Sequence, residues 1–570
     1  MAWYDEAVFY HIYPLGLTGA PTENPYGEPV HRLRDVFPWI DHVKEIGCSA
    51  IYIGPLFESV GHGYETTDYK KLDGRLGTND DLREFVMLAH EKGIRVILDG
   101  VFNHTGRDFF AMQDIRKNRE NSPYRDWYRN VNFWGNNEFN DGFSYDNWGG
   151  YNIMAKLNQQ NPAVRDYICD VIRFWVKEFD IDGIRLDAAD VLDFSFMQAL
   201  RQTANQVKAD FWLMGEVIHG DYTRWVNEGT LHAVTNYHLH KALYSGHNEH
   251  NYFEIAHTVK RLYGMGGNRP DGLKLYNFVD NHDVERIASK LINKDHFVPV
   301  HVLLYTLPGV PSIYYGSEFG IEGKKTYGTD APLRPELHLE DFADAIEKNA
   351  WTKLIAALGR IRKDTPALSY GDYQELVLTN RQYAFARNLD GKSVLVAVNN
   401  DEKPAWINMP AGNAPAYVGA LSGRVLKAEN GRVAVELGAC DGDIFLPSAD
   451  ENPVQGEAVI EQKIVKKSQE CVTMVEEPIK VAEECTYEKA NEKSDVEVNE
   501  KADEKVGGGE PYIDVSLTEG KSYESMTIEE LQSAILYKMS KNGPVTDQML
   551  RTVRENVYHN SLVNWVKSFR

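Results

Sequence analysis

Gly183-Ile184-Arg185-Leu186-Asp187 is a short apolar run that ends on a carboxylate, with an arginine two positions before the acid. Side chains alternate across a strand, so Arg185 and Asp187 point to the same side. The pairing predicts an ionised Asp187 whose pKa is lowered by the guanidinium, as a carboxylate nucleophile requires. Alone, the same pair also fits a structural ion pair. Two further runs repeat the arrangement: Trp212-Leu213-Met214-Gly215 leads into Glu216, and Asn277-Phe278-Val279-Asp280-Asn281-His282 leads into Asp283. Roughly 30 and 65 residues separate the successive acids. Spacers of that length suit parallel strands joined by helices, with the strand ends opening into one cleft. The apolar approach to Glu216 favours its protonated form, as a general acid near neutral pH requires. A proton donor, a nucleophile and a stabilising charge are what glycosidic-bond cleavage uses.

Outward from these runs, eight strand-like segments are legible, at 8–13, 50–53, 94–98, 183–186, 212–214, 232–236, 273–279 and 311–315. Amphipathic stretches lie between them, for example 80–92 and 162–179. The second opens on Pro162 and keeps Val164, Ile168, Val171, Ile172 and Trp175 on one face. This alternation predicts an α/β fold, a (β/α)8 TIM barrel over residues 1–365. An open doubly wound sheet would want a glycine-rich phosphate turn after the first strand, and Tyr13-Pro14-Leu15-Gly16 is not one.

The spacer after the third strand is too long for one helix. Its excess, residues 103–152, is crowded with Trp, Tyr, Phe, Asn and Gly and is expected to form an inserted loop domain. Its aromatics suit either sugar stacking or a small core of their own. Alternation returns at 383–387, 393–398, 432–436 and 443–446, predicting a C-terminal antiparallel β-sandwich over 366–448. Residues 449–510 have the composition of an acidic disordered linker. Residues 511–570 read as a helical tail: Thr527 and Glu530 have capping-box spacing, and Leu550, Val553, Val557, Leu562 and Val566 recur at helical spacing. Such a tail is expected to dock a protein partner or to self-associate.

The 570-residue chain is 43% apolar and 25% charged, with a net charge of −23. Nothing supplies the Lys/Arg clusters that phosphate binding needs, so a nucleic-acid partner is not expected. There is neither a run of about 20 apolar residues nor a secretory signal, so no membrane partner and a cytoplasmic location are expected. The five cysteines, Cys48, Cys169, Cys440, Cys471 and Cys485, lack metal-type spacing and read as free thiols in a reducing compartment.

Taken together, Asp99-Gly100-Val101-Phe102-Asn103-His104, Gly183 to Asp187, Gly215-Glu216-Val217 and Phe278 to Asp283 resemble the four signature regions of the α-amylase family of glycoside hydrolases, in order, within residues 3–447. The resemblance implies Asp187 as nucleophile, Glu216 as acid/base and Asp283 as transition-state stabiliser of a retaining double displacement. It also implies substrate contacts from Tyr64, Asp99, His104, Arg185, His219, Asn281 and His282. Met154-Ala155-Lys156-Leu157-Asn158 resembles a variant found in neopullulanases, cyclomaltodextrinases and maltogenic amylases, with Ala155 in place of a proline. Ile218 stands where that group has a tryptophan on the acceptor side, so Ala155 and Ile218 are expected to bear on substrate preference.

With strand-like sequence starting close to Met1, the N-terminal β-domain through which that group dimerises, and that mode of dimerisation, are not expected. The loop at 16–25 is short of carboxylates for calcium, with Asn103 the remaining candidate ligand. No metal or cofactor is expected in the chemistry. The implied function is hydrolysis of α-1,4 linkages in maltooligosaccharides, cyclodextrins or starch fragments. An α-glucan transglycosylase with the same carboxylates is the alternative, and a non-catalytic glucan-binding protein a third reading.

Overall fold

In the computed structural model, β-branched and aromatic runs form eight parallel strands. They are β1 (Phe9–Ile12), β2 (Ala50–Ile53), β3 (Arg95–Gly100), β4 (Gly183–Leu186), β5 (Trp212–Gly215), β6 (Ala233–Val234), β7 (Tyr276–Phe278) and β8 (Val310–Tyr314). The sheet order is β6-β5-β4-β3-β2-β1-β8-β7. A single parallel bridge, Thr235 to Tyr276, joins β6 to β7 and brings the ring round to a barrel. Each expected strand is present. The sixth is much shorter than 232–236, and beside it the Thr235 hydroxyl accepts from the Val217 N–H (2.9 Å). The structure describes residues 2–267, 272–326, 329–458, 527–541, 553 and 566.

Strand parity sorts the core. Phe9, Tyr52, Ile97, Trp212, Met214, Tyr276 and Phe278 fill the barrel interior. The alternate positions, such as Tyr10, Ile51, Val96 and Ile184, pack against the surrounding helices. The helix Pro162–Phe179 shows how this outer layer is built. The Asn161 side chain accepts from the Ala163 N–H at its start, and Asp180 ends it in a left-handed turn (φ 57°). Val164, Ile168, Val171, Ile172 and Trp175 are all buried along it. Trp175 lies on the ring of Phe57 at 4.4 Å, and its indole N–H donates to the Tyr69 carbonyl at 2.7 Å. Burying side chains of this size contributes about 1.5–3 kcal/mol each.

Between β3 and β4 the inserted segment forms a three-stranded sheet, with Tyr151–Lys156 between His104–Gly106 and Asn147–Trp148. Its buried aromatics, among them Phe109, Trp127, Tyr128 and Phe143, join the main core, and Phe110, Tyr124 and Trp127 meet edge to face at 5.1–5.7 Å. After the barrel come β9 (Asp372–Leu378), β10 (Gln382–Leu389), β11 (Lys392–Asn399), β12 (Ala405–Pro410), β13 (Ala416–Gly419), β14 (Val425–Lys427), β15 (Arg432–Leu437) and β16 (Asp441–Ser448). They form a six-stranded antiparallel sheet and a separate β12–β15 pair, with Ala384, Leu395, Ile407, Met409, Val433 and Val435 packed in one core. Sequence alternation located four of these strands.

The chain divides into two compact units, Met1–Glu477 and Pro478–Arg570. In the second, the helix Ile528–Lys541 carries the expected box: the Thr527 N–H donates to Glu530 Oε2 (2.8 Å), and the Glu530 N–H donates to Thr527 Oγ1 (3.2 Å). Nearly all of the acidic linker beyond residue 458 and most of the second tail helix lie outside the described residues, as do Cys471 and Cys485. Cys48, Cys169 and Cys440 are buried free thiols. No helix among the described residues is long and apolar enough to cross a membrane.

Candidate active site

The parity that fills the barrel also builds the floor of its cleft. His11, Tyr52, Asp99 and Arg185 continue the inward-facing positions toward the strand ends, and Asp99 and Arg185 are registered partners across β3 and β4. The His11 ring lies on Tyr52 at 4.1 Å, and the Tyr52 hydroxyl donates to Asp99 at 2.8 Å. Gly54 stays clear of this layer only because it has no side chain: a Cβ there would come within 2.5 Å of the Asp99 Cβ.

Arg185 is the hub. Its Nη1 donates to Asp99 Oδ1 and to Asp187 Oδ1, both at 2.9 Å, and its Nη2 meets Glu216 Oε2 at 2.9 Å. The Ala188 N–H donates to the same Glu216 oxygen at 3.1 Å. Ala188 does so in a left-handed conformation (φ 45°, ψ 43°), which costs an L-alanine about 1 kcal/mol. Gly215 lets β5 bring Glu216 in close, since a Cβ would meet Leu231 at 2.4 Å and Ala189 at 2.7 Å.

Asp283 lies across the cleft. Its carboxylate meets His282 Nε2 at 2.9 Å and Arg334 Nη2 at 3.0 Å, and its backbone N–H donates to Asn281 Oδ1 at 2.8 Å. Tyr64 ties the two walls together. Its hydroxyl is 2.5 Å from His282 Nε2 and 3.2 Å from Asp99 Oδ2, and its ring is nearly parallel to that of His282. His104 is anchored to the Tyr64 carbonyl through Nε2 at 3.0 Å.

The electrostatics differ from the expectation at Asp187. Burial pushes its carboxyl well above the usual range; Arg185 pulls it back, and Glu216 and Asp99 push it up again. A guanidinium shared by three carboxylates cannot hold any one of them as low as a dedicated partner would. Burial also pushes Asp283 up, but His282, Arg334 and Arg185 outweigh it and hold the acid well below the ordinary carboxylate range. Burial lowers His104 to about 4, which keeps its ring neutral and hydrogen-bonding.

The cleft has a volume of about 300 Å³, and Tyr64, His104, Asp187, Glu216 and Asp283 line it. Asp99, Arg185, Asn281 and His282 lie buried around its base. His219 stands apart, exposed, with its ring 6.3 Å from His238. Ile218 lines the cleft and is 40% exposed. Ala155 is fully buried and does not; its neighbour Met154 takes that place.

The motif reading missed Arg334, Trp148, Tyr13 and Tyr237. Arg334 grips Asp283 and the His282 carbonyl, Trp148 lines the cleft beside His104, and the Tyr237 hydroxyl is 3.4 Å from Glu216. Of these only Trp148 lies in a segment the sequence marks, the aromatic-rich insertion 103–152. Asn103, the candidate calcium ligand, is buried, and its Oδ1 accepts from Gln159 at 3.3 Å. Among the described residues no group of three or more His, Cys, Asp or Glu is arranged to hold a metal.

The alpha amylase catalytic-domain model matches residues 32–353. A cyclomaltodextrinase from a Bacillus species is 32% identical over 429 residues, covering 70% of this chain and 74% of that protein. A cyclomaltodextrinase from Thermoanaerobacter pseudethanolicus is also 32% identical, over 427 residues, 70% of this chain and 71% of that one. The solved debranching enzyme of Nostoc punctiforme matches with a TM-score of 0.66 at 28% identity, covering 78% of this chain and 98% of that one.

Proposed function

The chain belongs to the α-amylase family of glycoside hydrolases, and from that premise we propose that it cleaves α-1,4-glucosidic linkages of maltooligosaccharides, cyclodextrins or starch fragments by a retaining double displacement. The observation that carries the mechanism is the Arg185 hub, whose two terminal nitrogens hold Asp187 and Glu216 at 2.9 Å each. Carboxylates gripped by neighbouring nitrogens of one guanidinium stand close together. A separation of about 5 Å goes with retention, whereas inversion needs about 6.5–9.5 Å to admit water between them.

In the first step Glu216 gives its proton to the glycosidic oxygen as that bond breaks, and Asp187 bonds to the anomeric carbon. Arg185 favours the negative charge that attack requires on Asp187. Asp283, held ionised, faces the positive charge that builds on the sugar ring. In the second step water gives a proton to Glu216 and its oxygen to the anomeric carbon, releasing Asp187. The steps as written use side chains alone. Tyr64, His104 and His282 position the reacting ring, with the Tyr64 ring as its platform.

Early-time proton NMR of maltotriose hydrolysis tests this reading. The first reducing end released from the glycone carries the α-configuration if the displacement is double. A β-anomer at early times would overturn the mechanism, and early tetra- and pentasaccharides would show transfer to sugar competing with water.

A further inference from the structure

The β12–β15 ribbon carries a surface feature unconnected with the cleft. Its burial alternates strictly. Ile407, Met409, Val433, Val435 and Leu437 point into the second core, so Trp406, Asn408 and Pro410 on one strand and Arg432, Ala434 and Glu436 on the other make an outer face. Register sets Trp406 opposite Glu436, Asn408 opposite Ala434 and Pro410 opposite Arg432. Trp406 is 70% exposed.

Scattered surface apolar residues are ordinary and usually need no explanation. Trp406 differs in its setting. It stands on a paired strand and not on a loop tip, and its diagonal neighbour on the outer face, Ala434, is small. Arg432 is folded onto Asn408, its Nε donating to Asn408 Oδ1 at 2.7 Å and its Nη2 to the Asn408 carbonyl at 2.8 Å. That arrangement leaves the Asn408 NH2 to donate outward. Arg424 donates to the Glu436 carbonyl, at the residue opposite Trp406. The result is an exposed indole on a paired strand, with an amide, a carboxylate and two guanidinium groups on neighbouring positions.

We propose that this face is a second α-glucan-binding site, in which the C–H face of a glucose ring lies on Trp406 and its hydroxyls bond Asn408 and Glu436. The assignment rests on the function proposed above. A protein partner would want an apolar core within about 800 Å² on each side, and this face offers one large apolar side chain in polar surroundings. A face that mixes charges of both signs, on a chain of net charge −23, offers no basic patch for nucleic acid or anionic lipid. A polymer acted on in the cleft is also a ligand long enough to be held elsewhere on the same molecule. Tethering it raises the concentration of glucan near the cleft without a new catalytic contact.

The test uses the full chain in gels cast with amylopectin, in an Asp187→Asn background so that the polymer is not consumed. Adding Trp406→Ala is expected to weaken retardation at least fivefold, while Trp406→Phe keeps most of it and dextran retards neither protein. On the otherwise wild-type chain, Trp406→Ala should leave kcat/KM on maltotriose and the melting midpoint unchanged. Unaltered retardation in the Trp406→Ala chain overturns the proposal. So does a shift from dimer to monomer in sedimentation on that substitution, which would make the face a contact between copies. If the wild-type chain turns over maltotriose while retardation ignores Trp406, the second site fails and the catalytic reading stands. If no α-glucan is turned over at all, the catalytic reading fails first.

Discussion

Replacing Arg334 by alanine removes the hydrogen bonds from Nη2 to Asp283 Oδ1 and from Nε to the His282 carbonyl, each 3.0 Å long, together with longer ones to the Tyr13 hydroxyl (3.4 Å) and Asp330 (3.5 Å). A hydrogen bond to a charged group contributes about 1.5–3 kcal/mol. The Asp283 side chain is 35% exposed, so water takes over part of the lost role and the low end applies. The expected loss in kcat/KM on maltotriose is then about tenfold, from about 1.4 kcal/mol of transition-state stabilisation. Because Asp283 is proposed to act on charge that develops only in the transition state, the loss should fall on kcat with KM little changed. The pH profile gives an independent reading. Arg334 helps hold Asp283 below the ordinary carboxylate range, so without it the acid limb of the profile moves to higher pH. Lysine keeps the charge but not the fork that reaches both partners, so Arg334→Lys should fall between. A variant that melts like the wild type, loses less than twofold and keeps its acid limb in place would refute the argument.

Other perturbations have equally definite outcomes. Asp187→Asn should reduce maltotriose turnover on the order of a thousandfold or more; turnover near wild type would remove it as nucleophile. Gly54→Ala drives a Cβ to 2.5 Å from that of Asp99, so about 1–3 kcal/mol of stability and much of the activity should go together, read by thermal melts and initial rates. Asp182 is buried and held at about 2 by His90, the Val96 N–H and Lys208 despite the opposing pull of burial. A depressed carboxylate stabilises the fold above its unfolded pKa and loses that contribution as pH falls through about 2. Asp182→Asn should therefore cost about 2 kcal/mol by urea melts at pH 7, with the gap closing toward pH 2; a gap independent of pH would count against the ion-pair account.

The barrel was legible because its two periodicities are strong. Strand runs such as 50–53 and 183–186 match the structure residue for residue, and the buried face of Pro162–Phe179 falls where the helical spacing put it. Of the β12–β15 pair, β15 was legible at 432–436, whereas β12 was not, because Asn408 and Pro410 interrupt its apolar alternation with turn-type residues. At the site, motifs reveal residues carried on strand ends, whose neighbours in sequence are also neighbours in space. Arg334 sits on a loop after β8, far in sequence from the acid it holds, and nothing local marks it. The pKa of Asp187 was misread for a related reason. The pairing with Arg185 is visible in five residues, whereas the competition from Asp99 and Glu216 exists only once three strands lie side by side.

The ring of strands is joined along seven of its edges by runs of paired residues and along the eighth, between β6 and β7, by the single Thr235–Tyr276 bridge. Thr235 is also the residue whose hydroxyl holds the N–H of Val217, next to Glu216. One residue thus serves both the narrowest joint of the barrel and the backbone beside the proposed proton donor, so a change at Thr235 reaches the scaffold's closure and the acid's footing together.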